Sequence, residues 1–140
     1  LPLLQQLNPA HQHCFGEDFG RLGDLTVIDP MAIEQNLQRT IPFSVELRNI
    51  PFKQQEQILF YIGDRLPRMI GGALDAGGNG MYLAEQARHR YGSERIHEIK
   101  LSDAWYLENM PPFKAAFEDS TLTIPEIEER RVGKECTSWC

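Results

Sequence analysis

The chain has 140 residues, 41% hydrophobic and 24% charged, with a net charge of −6. That is the profile of one globular domain with a core of ordinary size. It excludes a globally basic nucleic-acid binder, and no apolar run approaches the ~20 residues needed to cross a bilayer. The opening LPLLQQL is too short and too polar for a secretory signal. The three cysteines, Cys14, Cys136 and Cys140, form neither a disulfide framework nor a zinc-ligand spacing, so a reducing, intracellular setting is expected.

In chain order, HQHCFGED (11–18) reads as a strand ending in an acid. LTVIDP (25–30) is short and β-branched, with Pro30 as its stop. PFSVELRNI (42–50) alternates Phe43, Val45 and Leu47 against polar neighbours, the period of a half-buried strand. Pro51 suits a first helical position, and Phe52, Ile58, Leu59, Ile62 and Leu66 recur at helical spacing, predicting an amphipathic helix over 51–66. RMIGGALD (68–75) is a continuous apolar run, as expected of a central strand covered on both faces. A helix follows over 79–91, then a strand in RIHEIKL (95–101), then a helix over 111–119 after the paired prolines.

Three strands joined by short links predict an antiparallel meander. The later strand–helix–strand units predict parallel neighbours with right-handed crossovers. The result is an α/β mixed sheet with flanking helices, in which strands 1–3 run antiparallel and strands 1, 4 and 5 run parallel. This is the ribonuclease H-like order, with the first and fourth strands side by side.

Asp18 then ends the first strand and Asp75 the fourth, each with glycines close behind, in EDFGRLGD and LDAGGNG. On parallel neighbours both carboxylates leave the same sheet edge, their strand backbones about 5 Å apart, where open α/β sheets bind ligands. Two carboxylates so close repel unless a proton or a cation lies between them. Mg²⁺ suits one or two carboxylates plus a substrate phosphate. Glycines such as Gly77 leave room for a bulky phosphodiester, and Asn79 with Gly80 opens a helix whose N–H groups can face an anion. The blander readings are a plain strand-to-helix turn at DAGGNG, turn roles for Asp24 and Asp29, and exposed positions for His11 and His13. Trp105 and Tyr106 read as core or loop packing. Arg88, Arg90 and Arg95 belong to the one basic cluster. They suit a helix C-terminus and are also candidate DNA contacts.

At this point GEDFGRLGDLTVID, GGALDAGGNGMYLAEQARHRYG and PPFKAAFEDSTLTIPEIEE together resemble the nuclease domain of the large terminase subunit of tailed phages, most closely the Mu-like phage and prophage type. The resemblance covers roughly residues 14–129. It implies a two-metal endonuclease, using two Mg²⁺ or Mn²⁺ ions, that cuts concatemeric DNA during packaging. It assigns Asp18 and Asp75 as catalytic metal ligands, with Asp24, Gly77 and Asn79 as supporting positions. The implied partners are double-stranded phage DNA, the terminase small subunit and the procapsid portal, in the cytoplasm of the bacterial host and without a membrane. Glu17 departs from the apolar residue usual before the first acid. A third acid expected near the C-terminus has no counterpart in this sequence. The expected organisation is the end of an upstream linker over 1–13, a nuclease domain incomplete at its C-terminus over 14–129, and a non-native tail over 130–140, where periodicity is lost. An inactive structural or interaction fragment of the packaging motor and an actin-like nucleotide-binding domain remain open.

Overall fold

The computed structural model describes residues 2–20, 25–124 and 130–132. Among these, eight strands form one mixed sheet: β1 (Gln12–Asp18), β2 (Leu25–Ile33), β3 (Arg39–Thr40), β4 (Ser44–Arg48), β5 (Met69–Asp75), β6 (Ile96–Ile99), β7 (Leu122–Thr123) and β8 (Arg130–Val132). The path β6-β5-β1-β2-β3-β7 carries β4 as a second partner of β2, and β8 beside β4. β1 is antiparallel to β2 and β2 to β4, while β5 runs parallel to both β1 and β6. These are the directions of the expected ribonuclease H-like arrangement. Four helices complete the described residues: α1 (Pro2–Gln5), α2 (Phe52–Arg65), α3 (Gly80–Tyr91) and α4 (Asp103–Glu118).

Alternation divides the sheet into two faces. One face carries Phe15, Ile28, Val45, Leu47 and Leu74 into the main core, where α2 adds Leu59 and Ile62 and α3 adds Ala84 and Ala87. Gly72 leaves space for the Phe15 ring, which a methyl group there would overlap. Asn49, at φ 56°, turns the chain from β4 into α2, a conformation asparagine tolerates better than most residues. Gly92, at φ 99°, closes α3 by donating its N–H to the Arg88 carbonyl at 2.8 Å.

Several expectations are corrected. β2 does not stop at Pro30 but continues to Ile33. On its outer side β2 pairs with β4 over residues 25–28 and with β3 over residues 32–33. Pro30 falls in the gap between them, where its missing N–H costs no ladder bond. Asp29 is therefore a strand residue and not a turn residue. The last long helix begins at Asp103, with the Ser102 hydroxyl accepting from the Trp105 N–H at 3.1 Å, and runs through Pro111 and Pro112. His13 is fully buried, its Nδ1 2.7 Å from the Pro67 carbonyl oxygen. Tyr106 is exposed rather than packed in the core. Residues assigned to a linker supply α1, whose Leu4 joins the core. The stretch expected to lie outside the domain begins with β8; residues 133–140 lie outside the described residues.

Candidate active site

The site is set by register. β1 and β5 pair as His13↔Met69 and then, past a bulge that skips Ile70, as Cys14↔Gly71 through Glu17↔Leu74. One residue further along each strand stand Asp18 and Asp75. Without the extra residue, Asp18 would lie beside Leu74, and the two acids would fall on opposite faces. The bulge fits because Gly71 lacks a side chain that would strike the Arg95 carbonyl, while the Gly72 N–H donates to that same oxygen at 2.9 Å.

The Asp18 and Asp75 carboxyls lie within hydrogen-bonding reach of each other. Burial, then the charge of Asp75 and this hydrogen bond, push the Asp18 carboxyl above the ordinary carboxylate range. Asp75 is held from behind, because its Oδ1 accepts the Gly77 N–H at 2.9 Å. Gly80 allows the first turn of α3 to close on the end of β5: a methyl there would lie 2.5 Å from the Asp75 carbonyl oxygen and 3.1 Å from Phe19 Cβ. Asn79 occupies the N-cap position of α3 without a capping side-chain bond.

The acids open onto a cavity of about 460 Å³ on the sheet face opposite the main core. Asp18, Asp75, Asp29, Gly16, Val27 and Ala73 contribute to it from the strands, and Leu101, Trp105 and Phe113 wall it. Gly16 leaves its centre open, with no atom within 4 Å of where a Cβ would stand. Asp29 lies across from Gly16 on β2 and accepts a short hydrogen bond from the Ser44 hydroxyl. The sequence reading missed it because an Asp-Pro pair usually marks a turn. The available signal was the two-residue step from Val27, which shares its face with Asp18. Glu17, one residue before Asp18, is 6% exposed and both its carboxyl oxygens lack a partner. Burial, then the nearby charges of Asp75 and Asp18, raise it to about 8, so it is neutral at pH 7.

The structure does not bring the basic cluster to this edge. α3 starts beside Asp75 and carries Arg88 and Arg90 away by roughly 12–15 Å along its axis. Arg88 pairs with Glu98 at 3.1 Å, and Arg90 binds Asp64 through two nitrogens. Arg95 stands at the start of β6, lining a hollow with Arg68 and Arg90. Asp24 lies outside the described residues. Among the described residues, no group of three or more His, Cys, Asp or Glu side chains could hold a metal ion. No described helix is long and apolar enough to cross a membrane.

No family model matches the chain. It is 54% identical over 124 residues to the probable terminase large subunit gp28 of Escherichia phage Mu, covering 89% of this chain and 22% of that protein. It is 45% identical over 129 residues to the Mu-like prophage FluMu protein gp28 of Haemophilus influenzae, covering 92% of this chain and 25% of that protein. The chain thus spans about a quarter of the length of the curated relatives it matches. Among solved structures, it resembles the large terminase nuclease of thermophilic phage G20c with bound magnesium at a TM-score of 0.68 and 15% identity, covering 86% of this chain and 61% of that one. The zinc-bound form of that nuclease matches at a TM-score of 0.63 and 15% identity, over 84% of this chain and 66% of that one.

Proposed function

Because this chain is related, over the stretch it matches, to the terminase large subunit of phage Mu and its prophage counterpart, we propose that it forms part of a metal-dependent endonuclease domain. Its reaction is hydrolysis of phosphodiester bonds in concatemeric phage DNA during genome packaging. The observation that carries this reading is the contact between Asp18 and Asp75 at one edge of adjacent parallel strands.

The donor set fits a hard divalent cation. Two carboxyls pressed together beside an open cavity need a positive charge between them once both ionise. Asp18 and Asp75 would hold Mg²⁺ or Mn²⁺, which when bound supplies a water of lowered pKa and charge stabilisation for a leaving oxygen. The Gly77 N–H fixes the rotation of Asp75. Gly77 and Gly78 leave a side-chain-free approach for the phosphodiester. Asp29, on the same floor, orients water or substrate from β2. In the complete protein a second ion, the terminase small subunit, the portal and double-stranded DNA complete the reading, in the host cytoplasm.

The absence of a three-ligand cluster among the described residues favours a second point: this chain alone grips metal weakly and cuts poorly. Plasmid nicking with Mn²⁺ tests both. The expected result is weak nicking by the 140-residue chain, strong nicking by the full-length subunit, and loss of cutting in full-length Asp18→Asn. Cutting that survives Asp18→Asn in the full-length protein overturns the site assignment.

A further inference from the structure

Helix α4 has an apolar surface that the described residues do not cover. It runs for 16 residues, and none of its described side chains is buried. Trp105 and Phe113 reach the wall of the acid cavity. On its outer side Tyr106, Leu107, Met110 and Phe113 line a second hollow, of about 840 Å³, with Lys114 and Glu118 beside it. Leu107 is 80% exposed, and Tyr106 and Met110 are each 45% exposed. Tyr106, Met110 and Phe113 follow at steps of four and three, which makes one stripe down the helix. A helix apolar on two sides belongs in an interior, and contiguous exposed patches of this kind mark packing surfaces. Lys114 and Glu118 pair with each other at 3.8 Å, so the surface offers an apolar occupant no unmatched charge.

We propose that the outer face of α4 seats further polypeptide of the same protein, namely the part of the domain that the solved neighbours possess beyond the matched region. The size comparison names this occupant. The chain covers only 60–66% of the solved nuclease chains and 22–25% of the curated relatives. Between a third and two fifths of the neighbour domain therefore has no counterpart in the matched stretch. The inference rests on the fold likeness and not on the nuclease reading, so a protein without cutting activity would still seat the segment.

Hydrogen exchange followed by mass spectrometry tests this in the 140-residue chain and in the full-length subunit. The peptides of 103–118 are expected to exchange at least about 100-fold more slowly in the full-length protein, while β1 and β5 keep similar protection in both. A milder probe is Leu107→Cys, which removes little volume. Its alkylation is expected to be rapid in the 140-residue chain and at least about tenfold slower in the full-length protein. Equal exchange and equal alkylation in both proteins overturn the proposal. Protection of α4 that appears in the 140-residue chain with rising concentration, together with a dimer by sedimentation, also overturns it by making a second copy the occupant. Loss of nicking in Asp18→Asn with α4 protection intact separates this inference from the active-site reading.

Discussion

Removing one carboxylate at the site is expected to stabilise the metal-free protein. Asp18 and Asp75 share a hydrogen bond, and the Asp18 carboxyl is held above its ordinary range by burial and by Asp75. Two like charges about 4 Å apart repel by roughly 1 kcal/mol at the dielectric of water and about 4 kcal/mol at an effective dielectric of 20. Asp18 is exposed to solvent on one side, which places the repulsion toward the lower figure. Asp18→Asn keeps the shape and a hydrogen-bond donor toward Asp75 while deleting the charge, so a gain of about 1 kcal/mol is expected near neutral pH. The sign follows from the raised pKa. An acid whose folded pKa lies above its unfolded value contributes stability at low pH that is lost as pH rises through the folded pKa. The advantage of Asp18→Asn therefore grows as pH rises through the raised Asp18 value and vanishes in acid. Urea unfolding with EDTA, compared with millimolar MgCl₂, is the assay. Bound Mg²⁺ stabilises the wild type by about 1.4 kcal/mol at ten times its dissociation constant and stabilises the variant less, reversing or erasing the difference. A variant less stable than wild type in EDTA, or an equal Mg²⁺ response in both, refutes the argument that these acids form a charge-strained cation site.

Glu17→Gln should flatten the pH dependence of stability. Wild-type Glu17 keeps its proton up to about 8 in the fold, against 4.5 as its ordinary value, so it costs stability progressively across that window. The variant should be more stable by about 2 kcal/mol at the top of it, read by urea unfolding at a series of pH values; parallel curves for the two proteins count against burial of the carboxyl. Gly80→Ala should cost about 1–3 kcal/mol of stability, since its methyl would meet the Asp75 carbonyl oxygen at 2.5 Å. A neutral or stabilising change in thermal melting would show that α3 does not close on β5 as described. Asp29→Asn should lower Mn²⁺-dependent nicking by the full-length subunit about tenfold with the melting temperature nearly unchanged, as expected of a group orienting the site from its floor; unchanged nicking removes Asp29 from the site.

The sequence by itself determined the types and directions of the main elements, β1, β2, β4, β5 and β6 with α2 and α3. Alternation in PFSVELRNI and the continuous apolar run RMIGGALD carry strand periods in local side chains. The helical spacing of Leu59, Ile62 and Leu66 does the same for α2. From these the parallel placement of β1 and β5 followed, and with it the shared edge of Asp18 and Asp75. Motif order, acid then glycine at both strand ends, was legible because the strand-end chemistry is written in consecutive residues. The tertiary structure alone decided the register. A bulge at Ile70 brings Asp75 level with Asp18, and one residue either way would have split the pair across the sheet. The tertiary structure also overrode two local rules. Asp29-Pro30 reads as a turn until β4 and β3 leave a gap where a proline costs nothing. Pro111-Pro112 reads as a helix start, yet α4 begins at Asp103, eight residues before Pro111. Arg88 and Arg90 follow the acid motif closely in sequence, but a helix rising 1.5 Å per residue carries them to the far end of the layer. Local chemistry is encoded by neighbours along the chain, whereas the meeting of side chains at a site depends on pairing between segments more than fifty residues apart, which no short window of sequence contains.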